Sequence, residues 1–163
     1  MKKIGIISDT HSLFDECLRD FLAEVDEIWH AGDIGTLKLA DQIAAFKPLR
    51  AVWGNIDGAD LRRVYRNIIC FEVEGVKVLM THIGGYPKRY QPLPLEQIKA
   101  LRPTIFVAGH SHILKVMYDH EHSLLHLNPG AAGSHGIHKV RTALRLKIDR
   151  ERIYDLEVGE WPR

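Results

Sequence analysis

The chain has 163 residues, 26% of them charged and 45% hydrophobic, with a formal net charge of +1 and a pI of about 7.9. These ordinary globular values exclude a disordered or fibrous chain, and the near balance of charge excludes the basic excess by which proteins hold long polynucleotides. One domain over residues 1–163 is expected, large enough to bury roughly 70% of the surface that the unfolded chain exposes.

Ile4-Gly5-Ile6-Ile7 is an apolar run too short for a helix, and it stops at Ser8-Asp9-Thr10-His11, so it predicts a buried strand. Leu13, Phe14, Leu18, Phe21, Leu22 and Val25 then recur at helical spacing among Asp15, Glu16, Arg19, Asp20 and Glu24, which predicts an amphipathic helix. A second strand over residues 28–31 halts at Gly32-Asp33, and a second helix runs from a Thr36 cap to Phe46 before Pro48 turns the chain. Residues 49–53 form a third strand that stops at Gly54-Asn55-Ile56-Asp57, followed by a polar connection carrying Arg62, Arg63 and Arg66.

Residues 68–73 and 76–80 pair as a hairpin across Glu74-Gly75, and the second strand ends at Thr81-His82. A loop containing Gly84, Gly85, Pro87, Lys88, Arg89 and Tyr90 leads to a helix over residues 95–101, with Pro94 at its start and Pro103 beyond its end. The strand over residues 105–108 then enters Gly109-His110-Ser111-His112. Two hairpins complete the chain, residues 113–118 with 123–127 and residues 142–148 with 153–158. The order βαβαβ followed by hairpins and one further helix predicts an α/β fold with a layered, mixed sheet.

Cys17 and Cys70 fall in a helical and a strand pattern, which suits two packing residues in a reducing compartment rather than a disulfide framework. No apolar run approaches the roughly 20 residues of a membrane span, and Met1-Lys2-Lys3 leads into a short strand rather than a signal-type segment. A cytoplasmic protein without membrane contact is expected. A homodimer is the default, because such oligomers are common among soluble proteins.

Five apolar strands each stop at a residue able to bind metal: Asp9 and His11, Asp33, Asn55, His82, and His110 with His112. In open α/β sheets a site forms outside the carboxyl ends of the strands, so residues distant in sequence converge there. Alone, Asp9 or Asn55 would read as a turn or cap residue and His82 as a strand-end histidine; their repetition at strand ends argues for a shared site. Two carboxylates, one amide oxygen and four imidazoles, with no thiolate, suit Mn, Fe, Zn, Co or Ni. Seven ligands are too many for one ion, whereas two ions about 3.5–4 Å apart that share a carboxylate use them all. Asp33, central in the set, is the natural bridge.

The series D-x-H, G-D, G-N, H, G-H-x-H over residues 4–130 resembles the motifs of the calcineurin-like metallophosphoesterase superfamily, and the chain length is similar to its small bacterial and archaeal phosphodiesterase branch. The resemblance implies a four-layer αββα sandwich and a dinuclear centre. Asp9, His11, Asp33 and His112 would hold one ion, and Asp33, Asn55, His82 and His110 the other, with manganese the first expectation. Asp33, Asn55, His82 and His110 would form the catalytic set. The implied reaction is hydrolysis of a small or activated phosphodiester by hydroxide formed from a bridging water whose pKa falls toward roughly 7. A phosphomonoesterase on the same centre, a protein-interaction scaffold on the same fold, and a metal kept for stability alone are the alternatives.

The third motif departs from its relatives, many of which read G-N-H-D or G-N-H-E. Ile56 stands in place of a histidine that lies near the leaving group, and isoleucine donates no proton. General acid help is worth ~10²–10⁴-fold, so diesters with acidic leaving groups are expected to react best. Asp57 is read either as a substitute acid or as a turn residue. Ile83 also separates His82 from the glycine that usually follows it directly. Lys88, Arg89 and Tyr90 are expected in a solvated loop, His30 in the core or behind the metal ligands, and His120, His122 and His126 on a hairpin surface. His135 and His138 lie in a small-residue loop that borders the site.

Overall fold

The computed structural model describes residues 1–163. Strands β1 (Lys2–Ile7), β2 (Glu27–His30) and β3 (Leu49–Ala51) are joined through helices α1 (Glu16–Phe21) and α2 (Leu37–Phe46), and α3 (Ala59–Val64) follows β3. Next come β4 (Ile68–Val73), β5 (Val76–Thr81), the short pair β6 (Gly85–Tyr86) and β7 (Arg89–Tyr90), α4 (Pro92–Leu101) and β8 (Ile105–Val107). The chain closes with β9 (Leu114–Asp119), β10 (Leu124–Pro129), β11 (Val140–Asp149) and β12 (Arg152–Pro162).

Two five-stranded sheets result, ordered β12-β11-β1-β2-β3 and β4-β5-β8-β10-β9. Their facing sides share one core in which Ile4, Ile6, Trp29 and Leu144 of the first sheet meet Val78, Met80, Val107 and Leu127 of the second. Behind the first sheet, Ile7, Ile28 and Ala51 pack with Leu18, Leu39, Ile43 and Leu61 of α1, α2 and α3. Behind the second, Leu79, Phe106 and Leu124 pack with Ile98 of α4. These three apolar interfaces make the expected four-layer αββα sandwich. Because β1, β2 and β3 run parallel, as do β5 and β8, their carboxyl ends gather along one rim.

Several elements differ from the sequence reading. Helix α1 spans Glu16–Phe21 rather than the full amphipathic run, because the Asp15 carboxylate caps the Leu18 N–H and holds Arg141 in a two-pronged ion pair. Phe14, Leu22 and Val25 are buried all the same, so the apolar spacing reports burial beyond the helix ends. Helix α3 occupies the expected polar connection; it buries Leu61 alone, too little to register as an amphipathic period. The loop after His82 folds back on itself through β6 and β7. Cys17 and Cys70 are exposed, not packing residues.

His126 is a further correction. It is wholly buried, packed against Tyr86 and Phe106, and neither ring nitrogen finds a hydrogen-bond partner. Burial, reinforced by the Lys115 ammonium, pushes its pKa from 6.5 to about 4. The folded value lies below the unfolded one, so the neutral ring contributes stability that is fully present above pH 6.5 and is lost as pH falls through about 4. That contribution is about 3 kcal/mol. His126→Phe, which keeps a ring in the same space, is expected to remove this part of the acid dependence. Urea unfolding at pH 7 and pH 4 measures it, and an unchanged difference between the two pH values would contradict the assignment.

Candidate metal centre

Each of the five strands β1, β2, β3, β5 and β8 delivers its expected residue to the common rim, and all seven side chains meet there. The Asp33 Oδ2 atom lies 3.5 Å from His11 Nε2 and 3.3 Å from His82 Nε2. The Asp9 Oδ1 atom lies 3.2 Å from His112 Nε2 and 3.8 Å from His82 Nε2. Asn55 Oδ1 is 3.0 Å from both His82 Nε2 and His110 Nδ1.

The backbone that presents these groups is unusual. Asp9, His11, Asp33, His110 and His112 have φ of 54°, 43°, 55°, 70° and 62°, the left-handed region that L-residues seldom occupy. Each such residue costs about 1–3 kcal/mol and persists where the surroundings over-determine it. Here they do. The Asp9 N–H donates to Gly32 O and the His11 N–H to Asp33 O, which tie the first two turns together, while the Gly109 N–H donates to His82 O. The His110 N–H donates to Asp9 Oδ2 and joins the two sheets. A side chain at Gly54 would overlap the Asp33 backbone nitrogen and Oδ1, so close approach requires glycine there.

Asp57 completes this scaffold. Its buried carboxylate accepts the N–H groups of Ile34, Gly35 and Gly54, which commits both oxygens to holding the turns together. His30 is buried as well. Its Nδ1 accepts the Gly32 N–H and its Nε2 donates to Thr10 Oγ1, and burial lowers its pKa to about 4, so a neutral ring braces the second turn.

Both carboxylates divide their work in the same way. Asp9 Oδ2 accepts the Ser8 hydroxyl and the His110 N–H, and Asp33 Oδ1 accepts the Ile56 N–H, which leaves one oxygen of each facing the imidazoles. In their neutral form the imidazoles face them with lone pairs. His82 Nδ1 donates to the Ala31 carbonyl at 2.7 Å, so in the neutral ring Nε2 carries no hydrogen where it meets Asp33 and Asn55. At His112 the same result arises through a relay absent from the sequence reading. His138 Nε2 donates to Gly133 O at 2.8 Å, and its Nδ1 accepts from His112 Nδ1 at 3.3 Å, which turns a bare His112 Nε2 toward Asp9.

Acceptors therefore confront acceptors in a buried space, an arrangement that a cation between them relieves. Asp9 Oδ1 and His11 Nε2 are buried without a hydrogen-bond partner, as metal ligands are before a metal is counted. Asp9, His11 and His112 form one compact group of donors, and Asp9, Asp33 and His82 another. These two groups, which share Asp9, fit a metal-binding role.

Without a metal, a proton on the imidazoles can take the cation's place, and the electrostatics favour it there. Burial opposes charge at Asp9, Asp33 and His82, yet mutual attraction outweighs it. Asp9 is held below the usual carboxylate range by His112, His82 and the Ser8 hydroxyl, and Asp33 by His82 and the Ile56 N–H. The two carboxylates raise His82, and Asp9 raises His112. His11 moves the other way, lowered by burial.

His135 and His138 both border the cluster, as their loop suggested: His135 stacks on His11 with ring centroids 4.6 Å apart, and His138 touches His112. Lys88 and Arg89 are exposed, whereas the Tyr90 hydroxyl donates to Asp119 at 2.8 Å and belongs to the scaffold. His122 also pairs with Asp119, at 2.9 Å.

The chain is similar to known proteins in sequence and in fold. The model of the calcineurin-like phosphoesterase superfamily domain matches residues 1–151. A probable metallophosphoesterase of Methanothermobacter thermautotrophicus is 30% identical over 139 residues, covering 78% of this chain and 76% of that protein. Among solved structures, one described as a novel archaeal phosphodiesterase superposes with a TM-score of 0.75 at 22% identity, covering 96% of this chain and 99% of that one. Vps29 of Entamoeba histolytica complexed with Zn²⁺ superposes with a TM-score of 0.72 at 15% identity and 98% coverage of both chains. At such identities these two structures show the fold.

Proposed function

Because the chain belongs to the calcineurin-like phosphoesterase superfamily, we propose that it is a dinuclear-metal-dependent phosphodiesterase acting on small or activated phosphodiesters. The observation that carries the reading is the pair of carboxylates, each with one oxygen fixed by N–H or O–H donors and the other aimed at bare imidazole nitrogens. Asp9, His11, Asp33 and His112 hold one ion in this account, and Asp33, Asn55, His82 and His110 the other. Asp33 would serve both ions, since its free oxygen lies 3.5 Å from His11 Nε2 and 3.3 Å from His82 Nε2. Manganese is the first choice, and the same nitrogen and oxygen donors accept Zn, Ni, Fe or Co.

When bound, the ions supply charge neutralisation at the phosphate oxygens and a water acidified enough to attack phosphorus. The protein's own groups do the rest. Ala31 O and His138 fix the tautomers of His82 and His112, which keeps each Nε2 free as a donor of electrons. Ile56 leaves the departing oxygen without a proton donor, which selects diesters whose leaving group is stable as an anion.

Protein stripped of metal and reloaded with Mn, Zn or Ni tests the proposal on bis(p-nitrophenyl) phosphate and p-nitrophenyl phosphate. Metal-dependent cleavage of the diester at about 10² times the monoester rate is expected. Faster monoester cleavage would make the protein a phosphomonoesterase. No cleavage with two ions bound would favour an interaction scaffold on the same fold.

A further inference from the structure

A groove of about 500 Å³ leads away from Asn55 and His82. It is lined by Trp53, Arg62, Ile68 and Ile83 and by the start of α4, from Gln91 to Pro94. No carboxylate lines it. Ile83 and Leu93 remain 42% and 50% exposed, so the groove offers apolar surface that the fold leaves uncovered. The Arg62 Cζ sits over the Trp53 ring, 4.0 Å from its centroid, and the guanidinium donates only to the backbone carbonyls of Asp57 and Asn55, which leaves a cation without a carboxylate partner. The side-chain amides of Asn67 and Gln91 bond no protein group.

We infer that this groove holds the nucleoside arm of the phosphodiester, with the base against Leu93, Ile83 and Trp53 and its edge read by the Asn67 and Gln91 amides. The inference rests on the phosphodiesterase reading and names its substrate class. Apolar walls with a few uncommitted polar groups are the usual make-up of a small-molecule site. An acyl chain would cover the two amides without pairing them, whereas a base edge offers donors and acceptors to both. Arg62 adds a positive charge beside the end of the groove where the phosphate lies, and a groove without carboxylates does not repel an anionic ester.

Two measurements on the metal-loaded full chain test the inference separately from the chemistry. In calorimetric titration, thymidine 5′-phosphate is expected to bind at least about tenfold tighter than inorganic phosphate, the scale of one base–aromatic or hydrophobic contact. Leu93→Asp, at an exposed position, is expected to erase that advantage. In turnover, thymidine 5′-(p-nitrophenyl) phosphate is expected to exceed methyl p-nitrophenyl phosphate in kcat/KM by about the same factor, and Leu93→Asp to bring the ratio toward one. Equal binding of nucleotide and phosphate, or a hexyl ester that outpaces the thymidine ester, would overturn the inference. If neither ester is cleaved while the nucleotide still outbinds phosphate, the groove assignment holds and the phosphodiesterase reading falls.

Discussion

Asp33→Asn is expected to lower diester hydrolysis by about 10³-fold or more at saturating metal, because several kcal/mol of transition-state stabilisation depend on the paired ions. The substitution is nearly isosteric. Its carbonyl oxygen can still accept the Ile56 N–H as Oδ1 does now at 3.0 Å, so the turn keeps its anchor. What changes is the atom between His11 and His82, where an amide NH₂ replaces a carboxylate oxygen and cannot bind a cation. Loss of activity should therefore accompany a fall in bound metal from two ions per chain, with the unfolding temperature of the metal-free protein little altered. An Asp33→Asn protein that stays active would remove Asp33 from the bridging position.

The second large effect is a gain. Ile56→His is expected to accelerate diesters with alkyl leaving groups by about 10²-fold, and p-nitrophenyl esters much less, because protonation helps in proportion to the basicity of the departing oxygen. The position tolerates the change: Ile56 is 46% exposed, and its contribution to the scaffold is a backbone N–H rather than its side chain. A plot of rate against leaving-group pKa for the two proteins makes the test. The variant should give the shallower slope, and parallel lines would mean that a side chain at this position does not reach the leaving oxygen.

The candidate site was legible because strand ends repeat a chemical theme. Asp9, Asp33, Asn55, His82 and His110 each follow a short apolar run, and parallel strands place such ends on one rim. The minor elements were less so. Helix α3 buries only Leu61, which leaves no periodic signal, and β6 and β7 are too short to alternate. His126 was misplaced because an alternating strand states which residues share a face but not what covers it; Tyr86 and Tyr90, on the loop that folds over it, do so. His138 carries no motif spacing relative to His112, twenty-six residues away, and their contact depends on how the loop after β10 returns to the rim. Asp57 next to Ile56 invited a catalytic reading, yet three backbone donors within reach absorb its charge.

Asp9 sets the remaining question at the centre of the account, since its free Oδ1 faces both His112 and His82 and it belongs to both compact groups of donors. A crystal of the manganese-loaded protein, measured at the manganese absorption edge, answers it. The account predicts two anomalous peaks about 3.5–4 Å apart, with Asp33 Oδ2 between them and Asp9 bound to the His11–His112 ion alone. A single peak, or a pair bridged by Asp9 with Asp33 on one side, would contradict it.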